Sequence, residues 1–197
     1  EKSPLAKYIA NGKLPAAADT AQKADMFAKS VEVLTAHQWH RLSNNHWRQT
    51  NRERNIYNEL GKSACDCLAF GCGAGGRLKG YGFMMNRSLA DWSAGVDAGL
   101  KPVMVMTAPG PNWALLRTVS SDMESGAINL PCISERFGVD VDALTREVTS
   151  QWEEAGLVTR TGDWLVQTVA GQFWHVTLAQ LLVDLIGKAL RKEAMAA

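Results

Sequence analysis

No apolar run in this 197-residue chain approaches the roughly 20 residues needed to cross a bilayer as a helix. The opening Glu1-Lys2-Ser3-Pro4 lacks the charged-then-apolar order of a signal peptide. A cytoplasmic protein is therefore expected. An excess of one charge sign is missing as well: the formal net charge is +1 and no basic run forms a polybasic tail. A role resting on attraction to phosphate has no general electrostatic support. There is no Gly-Lys-Ser/Thr ending of the Walker kind, and no glycine spacing of the dinucleotide kind. What remains is an ordinary soluble composition, 46% apolar, in a chain long enough to bury a real core. One or two domains are expected.

The stretch that combines an apolar run with a permissive turn is Cys65-Asp66-Cys67-Leu68-Ala69-Phe70-Gly71-Cys72-Gly73-Ala74-Gly75-Gly76. Residues 66–72 read as a strand covered on both faces, the pattern of a parallel sheet. Four of the six residues from Gly71 to Gly76 are glycine, which permits positive φ and close approach of backbone N–H groups to a ligand. The alternative is a turn that serves tight packing alone.

Three segments carry a resemblance. Arg54-Asn55-Ile56-Tyr57, then Asp66 to Gly76, then Tyr81-Gly82-Phe83-Met84 are similar to the C-terminal half of the oxygen-independent coproporphyrinogen III oxidase superfamily of radical SAM enzymes. Within it, the match is to the haem-utilisation, HutW/ChuW-type or anaerobilin synthase branch. Ser3-Pro4-Leu5-Ala6, Gly12-Lys13-Leu14-Pro15 and Gly171-Gln172-Phe173-Trp174 extend the likeness over nearly the whole chain. Its start without Met, in a phrase the family places in mid-protein, points to a piece of a longer enzyme.

The resemblance implies a fold class: α+β, the end of a partial (β/α) barrel with added strands over 1–108, and a helical winged-helix-like domain over 109–197. It also implies a SAM- or tetrapyrrole-binding set, Arg54, Ile56, Tyr57, Phe70, Gly73, Ala74, Gly75 and Gly76. Tyr57 stands where a SAM-contacting side chain stands. Gly75 replaces a larger aliphatic residue, opening space for a broader substrate such as haem. The implied cofactors are S-adenosylmethionine and a [4Fe–4S] cluster, with haem as substrate and a flavodoxin or flavin reductase as electron donor. The implied reaction is radical methylation and opening of the porphyrin with iron release. A non-catalytic haem carrier, or a coproporphyrinogen III dehydrogenase, is the alternative.

Cys65, Cys67, Cys72 and Cys132 match neither a usual zinc spacing nor the Cys-x3-Cys-x2-Cys triplet that holds the radical SAM cluster. No metal ligand is assigned in this chain, which by itself is expected to be inactive; buried thiols are the plain reading. His37, His40 and His46 fall in a Trp- and Arg-rich stretch. His40 or His46 is the candidate axial ligand to haem iron, against hydrogen-bonded or surface histidine. Leu42-Ser43-Asn44 resembles a family strand end, although Arg41 replaces its acid. Arg48, Arg52 and Arg54 are candidates for pairing with propionates, Arg54 first because it falls at a family position.

Local signals outline the rest. Asp19 and Gln22 form a capping box that starts a helix over about 20–36, with Ala24, Phe27, Ala28, Val31 and Leu34 on one buried side. Strands are read at 81–85 and 102–106, and helices at 88–98 and 112–124. Beyond these lie a helix-turn-helix over 128–152, a hairpin through Thr161-Gly162-Asp163 and a closing helix over 170–190. A winged helix that reads DNA needs basic residues on its second helix. This one carries Asp142, Glu147, Glu153 and Glu154 against Arg146, which argues against nucleic acid. Missing barrel strands would leave apolar faces near 20–50 and 66–76, covered by self-association.

Overall fold

The computed structural model describes residues 3–63 and 65–196, which divide into two compact units, Glu1–His40 and Arg41–Ala197. In the first, α1 (Pro4–Ala10) is capped by the Ser3 hydroxyl, which accepts from the Ala6 amide, with Pro4 at the first helical position. The α2 helix (Thr20–Ala36) starts at the expected capping box: Gln22 N donates to Asp19 Oδ1 at 2.8 Å and Asp19 N to Gln22 Oε1 at 3.0 Å. Its apolar face is only half-buried at Ala24, Phe27, Val31 and Leu34, and Ala28 is exposed. The expectation of a buried side is corrected to that extent. No neighbour within the described residues covers the face fully.

The second unit begins with a hairpin, β1 (His40–Ser43) and β2 (His46–Arg48), whose first residue is still in the first unit. A seven-residue helix follows, α3 (Ile56–Lys62), entered through Asn55 in the left-handed region, φ 52°. Then come β3 (Gly75–Leu78), β4 (Tyr81–Met85), α4 (Leu89–Asp97) and β5 (Val103–Thr107), with β3–β4–β5 forming an antiparallel sheet. Lys79 and Gly80 join β3 to β4 with both φ positive, 49° and 83°, a two-residue turn whose twist suits a hairpin. Asp66 Oδ1 accepts from the Lys79 amide at 2.6 Å and pins that turn.

The stretch 66–72 is therefore not a covered strand. Cys67 makes one isolated antiparallel bridge to Arg77, through two backbone hydrogen bonds of 2.8 Å, and Leu68 and Phe70 are 56% and 76% exposed. A short apolar run is consistent with a buried strand but does not supply the second layer that would bury it. The strand forms later, at Gly75–Leu78. The α+β class holds: the sheets among the described residues have two, three and three strands, and none closes into a barrel.

The main core lies in the remaining elements: α5 (Trp113–Ser125), β6 (Ala127–Asn129), α6 (Leu130–Phe137), α7 (Val141–Glu154), β7 (Val158–Thr161), β8 (Trp164–Gln167), α8 (Val169–Phe173) and α9 (His175–Ala196). The three strands pair antiparallel in the order β6-β8-β7. Val119, Met123, Ile128, Leu130, Val141, Leu165, Leu182 and Ile186 are buried together. Each contributes roughly 1.5–3 kcal/mol by leaving water. The closing helix read as continuous is two helices, interrupted at Trp174. Gly171 explains the fit of α8: a Cβ there would sit 1.9 Å from the Leu157 carbonyl oxygen, so no side chain is accommodated.

Candidate functional site

A cavity of about 580 Å³ lies against the β3–β4–β5 sheet, within the size range of small-molecule sites. The register explains its floor. Gly75, Met84 and Val105 form one row across the sheet, and Arg77, Gly82 and Thr107 the next on the same face. Glycine stands in each row, and a Cβ built on Gly75 meets only the Phe83 carbonyl oxygen, at 4.0 Å; one built on Gly82 meets nothing within 4 Å. Those two positions leave open a surface that larger side chains would fill. Gly76 differs from them. A Cβ there would lie 2.4 Å from Phe83 Cζ and 2.7 Å from the Cys67 carbonyl oxygen, so this glycine serves packing.

The rim comes from other segments. Tyr57 and Gly61 enter from α3, Cys65 and Cys67 from the bridged segment, and Arg87 from the residues just after β4. Arg117 on α5 donates to the Gly61 carbonyl and ties α3 to the α5 helix. Burial pulls the Arg117 guanidinium below its ordinary pKa, the positive charge of Arg77 adds to this, and Glu124 opposes it. The Arg77 guanidinium lies over the Trp113 ring at 5.2 Å.

Of the binding set expected from sequence, Tyr57, Gly75 and Gly76 line this cavity. Arg54 is exposed, as are Ile56 and Phe70, and none of the three is in the lining. Gly73, at φ 70°, and Ala74 form the turn before β3: Gly73 N donates to Asn86 O at 2.8 Å, and Met85 N to Ala74 O at 2.9 Å. That turn is fastened to the end of the β4 strand. His40 is exposed at the start of β1. His46 has both ring nitrogens engaged. Nδ1 is 2.8 Å from Ser43 Oγ, and Nε2 is 3.2 Å from Asn58 Nδ2, from which it accepts in the tautomer that carries its proton on Nδ1. Arg52 is exposed and Arg48 half-buried, outside the lining. Sequence reading missed Arg77, Gly82 and Arg87. The signal was available for Arg77, which lies two residues past Gly75 and so on the same face of a strand.

Two other segments from the sequence resemblance meet in a seam of hydrogen bonds. Asn44, buried in the β1–β2 turn, donates from Nδ2 to the Met123 carbonyl and to Gln167 Oε1, each at 3.0 Å; Gln167 Nε2 donates to the same carbonyl at 2.8 Å. Arg41 donates to Gln172 Oε1 and lies over the Trp47 ring at 4.4 Å. Leu42-Ser43-Asn44 and Gly171-Gln172 thus hold the hairpin to α5, β8 and α8. The arginine that replaces the family's acid is part of this seam.

No group of three or more His, Cys, Asp or Glu side chains gathers as a metal site would need among the described residues. The described residues therefore do not fit a [4Fe–4S] cluster. Nor is any described helix long and apolar enough to cross a membrane.

No family model matches the chain. It is 34% identical over 185 residues to anaerobilin synthase of Escherichia coli O157:H7, covering 93% of this chain and 40% of that protein. In fold it is similar to coproporphyrinogen III oxidase (HemN) from Escherichia coli, described as a radical SAM enzyme, with a TM-score of 0.65 at 14% identity. That likeness covers 84% of this chain and 42% of the other, and it shows fold alone. The chain thus spans about two fifths of the relative it matches. With sequence similarity along nearly its whole length and a shared fold, the chain is a relative of anaerobilin synthase, fitting the C-terminal part of the HutW/ChuW type.

Proposed function

We propose that the chain forms the wall of a tetrapyrrole site in a radical SAM enzyme that methylates and opens haem without oxygen and releases its iron. The observation that carries this reading is the cavity floored by Gly75 and Gly82, open enough for a flat macrocycle. The similarity to anaerobilin synthase over 93% of the chain supports it. SAM reduced at a [4Fe–4S] cluster would supply a 5′-deoxyadenosyl radical in such an enzyme, with electrons from a flavodoxin or flavin reductase. The share of this chain is to seat the substrate and exclude water, through Tyr57, Met84 and Val105 around the glycine floor. The chain alone is proposed to be inactive, because Cys65, Cys67 and Cys72 do not have the cluster spacing.

The division into 1–108 and 109–197 is part of the same proposal. Helix, strand, two helices and a hairpin, from α5 to β8, with strand order β6-β8-β7, support a winged-helix reading of the second part. Its acidic α7 argues against a nucleic-acid partner: Arg146 pairs with Asp142 at 2.8 Å, and Arg160 with Glu153 at 3.3 Å.

The test is product analysis on a full-length protein that contains this chain, given haem, SAM and a reductant without oxygen. Loss of the Soret band together with 5′-deoxyadenosine supports the enzyme. Haem retained unchanged means a carrier, and turnover of coproporphyrinogen in its place means a dehydrogenase.

A further inference from the structure

The lining of the cavity holds two guanidinium groups, Arg77 and Arg87, and no carboxylate. The described ion pairs, Lys29–Glu32, Arg146–Asp142 and Arg160–Glu153, involve neither. The two arginines flank the floor. Arg77 follows Gly75 by two residues, and Arg87 packs beside Gly73, two residues before it, with its Cγ 3.7 Å from a Cβ placed on Gly73. The polar contact described for Arg87 is Nε donating to Met84 Sδ at 3.2 Å, a weak acceptor. Arg77 is held over Trp113, which orients its fork without neutralising it. Between the two arginines the surface is apolar: Met84, Met104 and Val105.

Like charges gathered beside an apolar floor favour a ligand that brings its own negative charges. We infer that Arg77 and Arg87 are the carboxylate anchors of this cavity, and that its ligand is a flat apolar molecule carrying two acid groups. This rests on the cavity being the tetrapyrrole seat. It also moves the anchor away from Arg48, Arg52 and Arg54, which lie outside the lining.

The test titrates a full-length protein that contains this chain with metal-free mesoporphyrin IX and with its neutral diamide, following porphyrin fluorescence. The wild type should prefer the diacid, and Arg77→Gln/Arg87→Gln should weaken the diacid by about tenfold or more per arginine, leaving the diamide unchanged. Arg87→Gln alone, at an exposed side chain, is the control against loss of folding. It should show about a tenfold loss with an unchanged melting curve. Equal binding of diacid and diamide, or a diacid preference that survives both substitutions, overturns the anchor assignment and leaves the tetrapyrrole seat standing. If neither porphyrin binds, the seat itself is wrong.

Discussion

Gly75 and Gly76 are neighbours on one strand and should respond oppositely to substitution. At Gly76 an alanine Cβ would begin 2.4 Å from Phe83 Cζ and 2.7 Å from the Cys67 carbonyl oxygen. Non-bonded carbon contacts settle near 3.5–4.0 Å, so the ring must move by about 1 Å or more. The backbone carbonyl must yield too, and it accepts one of the two 2.8 Å hydrogen bonds of the Cys67–Arg77 bridge. Overpacking costs about 1–3 kcal/mol, and each strained hydrogen bond about 1 kcal/mol more. Alanine regains roughly 0.5–1 kcal/mol of the glycine entropy. Gly76→Ala should therefore lose about 1–4 kcal/mol in urea unfolding. Gly75 has no positive φ, and a Cβ there meets only the Phe83 carbonyl at 4.0 Å. Gly75→Leu should keep wild-type stability within about 1 kcal/mol while filling the cavity and weakening porphyrin binding. A Gly76→Ala protein as stable as wild type, or a Gly75→Leu protein that binds porphyrin undiminished, refutes the geometry.

Further outcomes follow from the same structure. Asn44→Ala removes both Nδ2 hydrogen bonds and leaves buried Gln167 Oε1 without its donor, so it should cost about 1–3 kcal/mol in thermal or urea unfolding; no loss would mean the seam is dispensable. Burial raises the Asp122 pKa, with Arg136 pulling back. Between its unfolded and folded pKa values the native state binds more protons, so stability falls as pH rises through that window. Asp122→Asn should therefore unfold at a higher temperature than wild type at pH 7 and lose that advantage at pH below the ordinary aspartate range; an unchanged or lower melting temperature at pH 7 counts against the sign. The β5 edge strand is exposed along its whole length, Met106 at 66%, with Phe70 at 76% nearby in sequence to the β3 strand. Sedimentation should show concentration-dependent self-association that Met106→Lys reduces; a monomer at all concentrations that binds no hydrophobic dye would refute it.

Signals confined to a few residues were sufficient for several elements. The Asp19/Gln22 capping box starts α2, and Ser88 accepts from Asp91 N to start α4. Gly162 and Asp163 turn the β7–β8 hairpin. Each is a hydrogen bond or a backbone preference within four residues, so the sequence determines it locally. Its motifs also pointed to the segments around Tyr57 and Gly75. Other features depended on partners distant in the chain. Whether Leu68 and Phe70 are buried depends on a second layer, and none of the described residues covers them. Whether Asn44 is a surface turn residue or a buried donor depends on a carbonyl 79 residues away. Whether Gly75 opens a floor while Gly76 only packs depends on the register with Phe83 and on the Cys67 carbonyl. Strand pairing and burial are non-local free energies, so the sequence settled the caps and turns, and the tertiary structure decided which arginines face the cavity.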